Sequence, residues 1–188
     1  MKIENVSGVV LAGGRNKRMG ENKAELKLGD QTLLEIQVQK LKNLGIDDIM
    51  ISGYQSNLEG TRVVEDIYTG KGPLGGVHAC LKAAKKTACL VVSVDSPLLS
   101  EEMLKALVEA HEGPATVLSH DGMIEPLIAV YDAALAPRAE EKILNDDFAV
   151  RKMAANPEVK KVEYTGDRDL LLNCNTTEDF EKAKALWK

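Results

Sequence analysis

Short apolar runs rich in β-branched residues alternate with longer helical stretches along the 188-residue chain. Parallel strands need long crossover connections, usually helices, so this alternation predicts an α/β fold. We expect a Rossmann-like three-layer sandwich, with helices on both faces of a mostly parallel, partly mixed central sheet. Strands are predicted at 6–11, 48–52, 62–65, 89–94, 115–119, 127–131 and 159–164, and helices at 32–43, 74–85, 100–109, 134–145, 149–155 and 177–187.

Three of the predicted strands define the sheet further. The run at 89–94 is strongly apolar, which favours a place at the centre of the sheet. The strands at 115–119 and 127–131 flank a polar turn at 120–125 and can pair antiparallel, which would make the sheet mixed. No linker, repeat or block of like charge interrupts the pattern, so residues 1–188 are predicted to form a single domain.

Composition excludes several classes of protein. The net charge of −5 argues against a general nucleic-acid binder, which usually carries a basic face. The N-terminus has no apolar signal region and no run of about 18 apolar residues occurs, so we predict a cytoplasmic protein without membrane contact. Cys80, Cys89 and Cys174 lack the spacing of zinc ligands, and we interpret them as packing residues.

A glycine-rich, cationic segment follows the first strand directly. Gly13 and Gly14 allow backbone N–H groups to approach a ligand closely, at the sheet edge where α/β proteins bind ligands. Four cations follow within nine residues: Arg15, Lys17, Arg18 and Lys23. The spacing fits neither the P-loop nor the dinucleotide fingerprint. The segment predicts a polyphosphate site; the alternative is a solvated glycine turn with surface charges.

Asp95 follows the apolar run at 89–94, so its carboxylate should emerge at the carboxyl end of a buried strand. A carboxylate in this position can hold Mg²⁺, which keeps several waters and binds substrate phosphates. The alternative is an aspartate that caps the next loop. Weaker signals of the same kind are Asp66 at the end of the third strand, the glycine-rich helix entry at 72–76, and the segment 173–176 before the last helix.

Together and in this order, these motifs resemble the molybdenum cofactor guanylyltransferases, within the wider family of nucleotidyltransferases. The pattern LAGGxxxRMGxxK is matched at 11–23, xDxP at 94–97 and GPLxG at 72–76. The segments PLIAVY at 126–131 and NxNTxE/D at 173–179 also fit, so the resemblance covers nearly the whole chain.

The resemblance implies a role for each site residue. Contacts to the guanine nucleotide would come from Leu11, Ala12, Gly13, Gly14, Ser52 and Asp66. Lys23 would reach the phosphates with Arg15 and Arg18, and Asp95 would bind both Mg²⁺ and the triphosphate. The acceptor side would be shaped by Asn173, Asn175 and Gly75. His78, His111 and His120 are interpreted as structural or solvent-facing.

The resemblance also implies the reaction. GMP would pass from GTP to the phosphate of molybdopterin, giving a guanine dinucleotide cofactor and pyrophosphate, with transient contacts to other proteins of molybdenum cofactor biosynthesis. Two alternatives stay open. One is another nucleotidyltransferase of the same fold, specific for cytidylyl transfer to molybdopterin or for sugar phosphates. The other is a non-catalytic nucleotide-binding module.

Overall fold

The computed structural model describes residues 1–13, 22–154 and 157–187. The strands are β1 Val6–Leu11, β2 Lys27–Leu28, β3 Gln31–Thr32, β4 Ile49–Ser52, β5 Thr61–Val64, β6 Ala88–Ser93, β7 Ala115–His120, β8 Met123–Asp132 and β9 Lys160–Glu163. The α-helices are α1 Leu33–Asn43, α2 Gly72–Ala83, α3 Glu101–Ala110, α4 Ala136–Leu144, α5 Val150–Ala154 and α6 Thr177–Leu186. Short 3₁₀ helices cover Ile3–Asn5, Lys23–Glu25, Ala133–Leu135 and Arg168–Leu171.

Seven strands form one sheet in the order β5-β4-β1-β6-β8-β7-β9. Strands β5, β4, β1 and β6 are parallel, whereas β8 runs antiparallel to both β6 and β7. The predicted fold class is therefore confirmed, including the mixed character of the sheet. Strand β6 is the fourth of the seven, which confirms that the most apolar run lies at the centre.

Side chains that alternate along the strands divide the core between the two faces of the sheet. On one face, Val10 of β1 and Val92 of β6 belong to a cluster that includes residues of α1, α3 and α6. On the other face, Val9 and Val91 belong to a cluster that includes residues of α2, α4 and α5. Burying each such side chain contributes roughly 1.5–3 kcal/mol, so both faces hold the sheet in place.

The first helix begins where its capping residues predict. The Thr32 hydroxyl accepts a hydrogen bond from the Glu35 N–H at 3.2 Å, and the Glu35 carboxylate accepts one from the Thr32 N–H at 2.7 Å. This capping box satisfies two N–H groups that the first turn would leave without partners. The start of helix α1 is thereby fixed, and with it the positions of its side chains, some of which contact the site described next.

The turn between β7 and β8 is shorter than predicted. Both strands extend toward each other until only Asp121 and Gly122 remain between them, at φ values of 48° and 74°. His120 therefore lies at the end of β7 and not in a turn. The small hairpin of β2 and β3 was also not predicted, because two residues a side are too few for an alternating pattern to show.

The strand register brings four strand ends to one edge of the sheet. Leu11 lies beside Ser52 and Ser93, and Ser52 lies beside Val64. Residues that follow β1, β4, β5 and β6 consequently meet at this edge. In the described part of the chain, no helix combines the length and hydropathy that crossing a membrane requires.

Candidate active site

A cavity of about 380 Å³ opens at this carboxyl edge of the sheet. Its lining comes from β1, β4, β6 and β8, from the loops that follow β1, β4, β5 and β6, and from the start of α2, and it includes Leu11, Gly13, Ser52, Asp66, Gly76 and Asp95. Five of these six residues were predicted from the sequence as site residues. The volume lies within the range of small-molecule sites, which is roughly 300–1,000 Å³.

Asp95, which lines the cavity, forms an ion pair with Lys23. The Lys23 Nζ lies 2.9 Å from Asp95 Oδ2 and donates a second hydrogen bond to Asn175 Oδ1 at 2.7 Å. The Ser93 hydroxyl donates to Asp95 Oδ1 at 2.6 Å. Side-chain exposure is only 12% for Lys23 and 21% for Asp95. The predicted cation and the predicted carboxylate are therefore neighbours in a largely water-excluded position.

The segment before α6 is bonded to the turn that carries Asp95. The Cys174 N–H donates to the Asp95 carbonyl at 2.7 Å, and the Ser96 hydroxyl donates to Asn173 Oδ1 at 2.6 Å. A capping box between Thr176 and Asp179 starts the helix immediately afterwards. Asn173 and Asn175 are consequently held beside Asp95, where the sequence analysis expected the acceptor side of the site.

Ser52 and Asp66 lie together on another part of the lining. The Ser52 hydroxyl donates to Asp66 Oδ1 at 3.3 Å. Burial raises the pKa of Asp66, and the hydrogen bond from Ser52 opposes that rise. A Cβ atom at Gly75 would lie 3.1 Å from Asp66 Oδ2. The structure thus places Gly75 beside Asp66, and the role expected for Gly75 on the acceptor side remains a prediction.

Two backbone segments approach each other closely at the cavity. The Ala12 N–H donates to the Ser52 carbonyl at 2.8 Å, and a Cβ atom at Gly53 would collide with Gly13 Cα. Gly53 also has a φ of +82°, which favours glycine. The glycine at position 13 thus has a glycine partner directly after β4, which the sequence analysis did not single out. The available signal was a glycine directly after the end of a strand.

Gly14, Arg15 and Arg18 lie outside the described residues. The roles assigned to them remain predictions. Leu11 and Ala12 are described: Leu11 lines the cavity, and its carbonyl accepts the Val94 N–H at 3.0 Å. This bond joins the glycine-rich strand end to the residue that precedes Asp95.

Two polar residues of α1 contact the same turn and were missed by sequence reasoning. Gln37 Nε2 donates to the carbonyls of Ser93 and Ser96, and Lys40 Nζ donates to the carbonyl of Pro97. Burial lowers the pKa of Lys40 to about 8. The available signal was their spacing: Gln37 lies four residues from both Leu33 and Leu41, and Lys40 lies four residues after Ile36, so both fall on the face of α1 that periodicity buries.

The histidines are structural but not solvent-facing, because all three are buried. The His111 ring contacts Thr116 Oγ1 at 3.2 Å and Asp132 at 3.0 Å, and the His120 ring contacts Glu125 at 3.0 Å. Burial lowers the pKa of His78, whose ring packs against Tyr68. No histidine is among the described residues that line the cavity.

The chemistry of the lining allows one kind of metal site. Within residues 1–13, 22–154 and 157–187, no group of three or more His, Cys, Asp or Glu side chains is placed to hold a metal ion. Asp95 instead offers a single carboxylate, held on one oxygen by Ser93. A single carboxylate fits Mg²⁺, which takes most of its ligands from water and substrate phosphates.

Comparisons with a protein family, with related sequences and with solved structures all lead to the same group of proteins. The chain matches the family of the MobA-like NTP transferase domain over residues 8–160. It is 33% identical to the probable molybdenum cofactor guanylyltransferase of Pelotomaculum thermopropionicum, over 96% of this chain and 92% of that relative. The enzyme of the same name from Carboxydothermus hydrogenoformans is 30% identical, over 96% and 95%. The crystal structure of molybdopterin-guanine dinucleotide biosynthesis protein A from Archaeoglobus fulgidus shares the fold, with a TM-score of 0.80, 24% identity and coverage of 96% and 97%.

Proposed function

The chain belongs to the family of the MobA-like NTP transferase domain, and from this premise we propose that it transfers the guanylyl group of GTP to the phosphate of molybdopterin. One structural observation carries the proposal. The glycine-rich strand end, the Ser52–Asp66 pair and Asp95, which forms an ion pair with Lys23, all border one cavity at the carboxyl edge of the sheet. A nucleoside triphosphate needs such a combination: space for the nucleoside, a cation beside the phosphates, and a carboxylate that can hold a metal ion bound to them.

The cavity suggests how GTP would lie. The nucleoside would occupy the part lined by Gly13, Ser52, Asp66 and Gly76, where a Cβ atom at Gly76 would collide with the Ser52 hydroxyl. The triphosphate would extend toward Lys23 and Asp95. This orientation places the ammonium group next to phosphate oxygens, and it places the asparagines before α6 near the reacting α-phosphate.

Asp95 would hold Mg²⁺, which when bound polarises the α-phosphate and offsets the charge of the triphosphate. In the structure, Lys23 forms an ion pair with Asp95 Oδ2. On binding, we propose that Lys23 leaves this oxygen and donates to phosphate oxygens, while Ser93 continues to hold Oδ1. Lysine suits this exchange because its ammonium group has three donors on a flexible stem.

The reaction itself requires no covalent intermediate with the protein. A phosphate oxygen of the acceptor attacks the α-phosphorus of GTP, the bond from the α-phosphorus to the bridging oxygen breaks, and pyrophosphate leaves with the electron pair. The attacking phosphate is already an anion at neutral pH, so it needs no strong base. Catalysis then comes from positioning and from electrostatic stabilisation. Asn173 and Asn175 would orient the acceptor.

The test is an assay for pyrophosphate release. Purified protein would receive molybdopterin, Mg²⁺ and either GTP, CTP, UTP or ATP, with sugar 1-phosphates as alternative acceptors. The proposal expects release with GTP and molybdopterin, and loss of release when a chelator removes Mg²⁺. Release with CTP alone would instead indicate a cytidylyltransferase. A rise in melting temperature with GTP but no release with any acceptor would favour a non-catalytic binding module.

A further inference from the structure

The backbone turn that carries Asp95 is held by two buried side chains of α1. Gln37 is fully buried, and its Nε2 donates to the Ser93 carbonyl at 3.0 Å and to the Ser96 carbonyl at 2.8 Å. Lys40 is 9% exposed, and its Nζ donates to the Pro97 carbonyl. These three carbonyls lie on both sides of Asp95 in the sequence. The two side chains therefore bracket the residue from one helix.

Burying polar side chains in this way is energetically less favourable than packing a helix with apolar ones. Taking an ammonium group out of water is unfavourable unless it is well paired, and an apolar side chain would fill the same space without that penalty. Leu34, Ile36 and Leu41 of the same helix pack in the ordinary apolar way. Gln37 and Lys40 instead direct their donors at specific carbonyls, which fixes the position and rotation of the turn and not only its distance from the helix.

Helix α1 also contacts the segment that carries Lys23. The Leu33 N–H donates to the Leu26 carbonyl at 2.8 Å, and Leu33, Leu26 and Ala24 belong to one buried cluster. Ala24 directly follows Lys23. One helix thus contacts both the lysine segment and the aspartate turn, so the relative position of these two groups depends on α1.

We propose that Gln37 and Lys40 are positioning residues that aim the Asp95 carboxylate at the bound metal and triphosphate. The proposal rests on the proposed function, because it assumes that Asp95 takes the metal. Its physical reason is geometric: a displacement of about 1 Å at a reacting centre can reduce a rate by about 100-fold, and the same displacement weakens a metal–carboxylate bond.

The first test is Lys40→Met, with Lys42→Met as the matched control. Lys42 lies on the same helix and also donates to a backbone carbonyl, that of Glu59, but it is exposed. Binding of Mn²⁺ to the protein in the presence of GTP can be followed by the electron paramagnetic resonance of free Mn²⁺. We expect Lys40→Met to weaken Mn²⁺ binding by about tenfold while the melting temperature stays within a few degrees, because methionine fills the space. Lys42→Met should change neither quantity.

The second test is Gln37→Glu, with Gln39→Glu as its control. The change at position 37 replaces a donor to two carbonyls by an acceptor of the same shape, so the turn must move. Gln39 is exposed and donates to Asn43. The substitution Gln39→Glu therefore introduces the same charge on the same helix without a contact to the Asp95 turn. We expect Gln37→Glu to weaken Mn²⁺ binding by more than tenfold, and Gln39→Glu to leave it unchanged.

Asp95→Asn, measured in the same way, separates the two proposals. If Asp95→Asn binds Mn²⁺ with GTP as the wild type does, the metal assignment in the proposed function is wrong. If Asp95→Asn loses Mn²⁺ binding but Lys40→Met and Gln37→Glu keep it, the positioning role is overturned and the proposed function stands. A Lys40→Met protein that fails to fold, or that loses Mn²⁺ affinity only in parallel with its melting temperature, would make Lys40 a structural residue and also overturn the proposal.

Discussion

Two aspartates at opposite edges of the sheet form ion pairs of the same length in different surroundings. Asp48 directly precedes β4, at the amino edge, and its carboxylate lies 2.9 Å from Arg62 Nε. Asp95 follows β6, at the carboxyl edge, and lies 2.9 Å from Lys23 Nζ. The side chain of Asp48 is 4% exposed, whereas that of Asp95 is 21% exposed and borders the cavity.

The pairs differ in how many donors the carboxylate receives. Asp48 accepts from Arg62 Nε, Arg62 Nη2, the Ser7 hydroxyl and the Lys85 N–H. Within the described residues, Asp95 accepts from Lys23 and Ser93. A carboxylate with four donors from several elements has little capacity left for a ligand, whereas Asp95 can exchange a flexible lysine for another cation. Donor number and access, and not ion-pair distance, distinguish the structural Asp48 from Asp95, for which we propose a function.

The largest expected effect is the loss of activity in Asp95→Asn. Removing the negative charge should lower turnover by about 1,000-fold, equal to about 4 kcal/mol in the activation free energy, because the metal and the phosphates lose their carboxylate. The free energy of unfolding should change by less than about 1 kcal/mol, since Lys23 keeps Asn175 as a partner. Steady-state pyrophosphate release and urea unfolding measure the two quantities. Near-normal turnover would contradict the site assignment.

Asp48→Asn should show the opposite behaviour. The change leaves the Arg62 guanidinium without its buried counter-ion and should lower the free energy of unfolding by about 3 kcal/mol. Turnover per folded molecule should stay within about twofold of wild type, because Asp48 lies at the other edge of the sheet. Urea unfolding and active-site-normalised rates check this. A stable Asp48→Asn protein with reduced turnover would remove the distinction between the two aspartates.

The sequence predicted the part of this contrast that depends on topology. Asp95 ends the most apolar run, and Lys23 lies in the segment after the first strand. Because carboxyl ends of neighbouring parallel strands meet at one edge, the sequence order alone indicates that the two groups converge. The strand Val6–Leu11 was predicted to the residue because a glycine pair follows it, and α1 begins one residue after its predicted start, with Thr32 of the predicted capping box as its N-cap.

Other contacts depend on geometry that one-dimensional patterns do not contain. The close approach of Gly13 and Gly53 depends on the pairing of β1 with β4. Helical periodicity places Gln37 and Lys40 on the buried face of α1, but it does not show which carbonyls their side chains reach. The contact of Gly75 with Asp66 was not predicted, because a glycine-rich helix entry does not reveal which strand end it packs against.

The pH dependence of stability provides a test of the structural role of Asp48. Burial alone would raise the pKa of Asp48, but its hydrogen bonds to Arg62, Ser7 and the Lys85 N–H lower it to about 2. The unfolded state, with an ordinary pKa near 3.8, binds more protons in this range. The contribution of Asp48 is therefore fully present above about pH 5 and decreases as the pH falls toward 2, by about 2 kcal/mol. The stability difference between wild type and Asp48→Asn should shrink by that amount between pH 5 and pH 2. A constant difference would contradict it.

The smallest effect is expected when the cationic partners of the two aspartates, Lys23 and Arg62, are replaced. Lys23→Met should weaken GTP binding by about tenfold, or about 1.4 kcal/mol, because one ammonium contact to the phosphates is lost. Its effect on unfolding should be smaller than that of the corresponding change at Arg62, since Asp95 keeps the Ser93 hydroxyl as a donor and borders the cavity. Arg62→Met is the matched change: it should leave GTP affinity unaltered and destabilise the fold, because it removes two of the donors to Asp48 and a bond to the Ala83 carbonyl. Isothermal titration with GTP measures the affinity of both proteins, and urea unfolding measures their stability. If Lys23→Met binds GTP normally but unfolds as easily as Arg62→Met, Lys23 is a structural partner of Asp95, and the two edges of the sheet use their ion pairs in the same way.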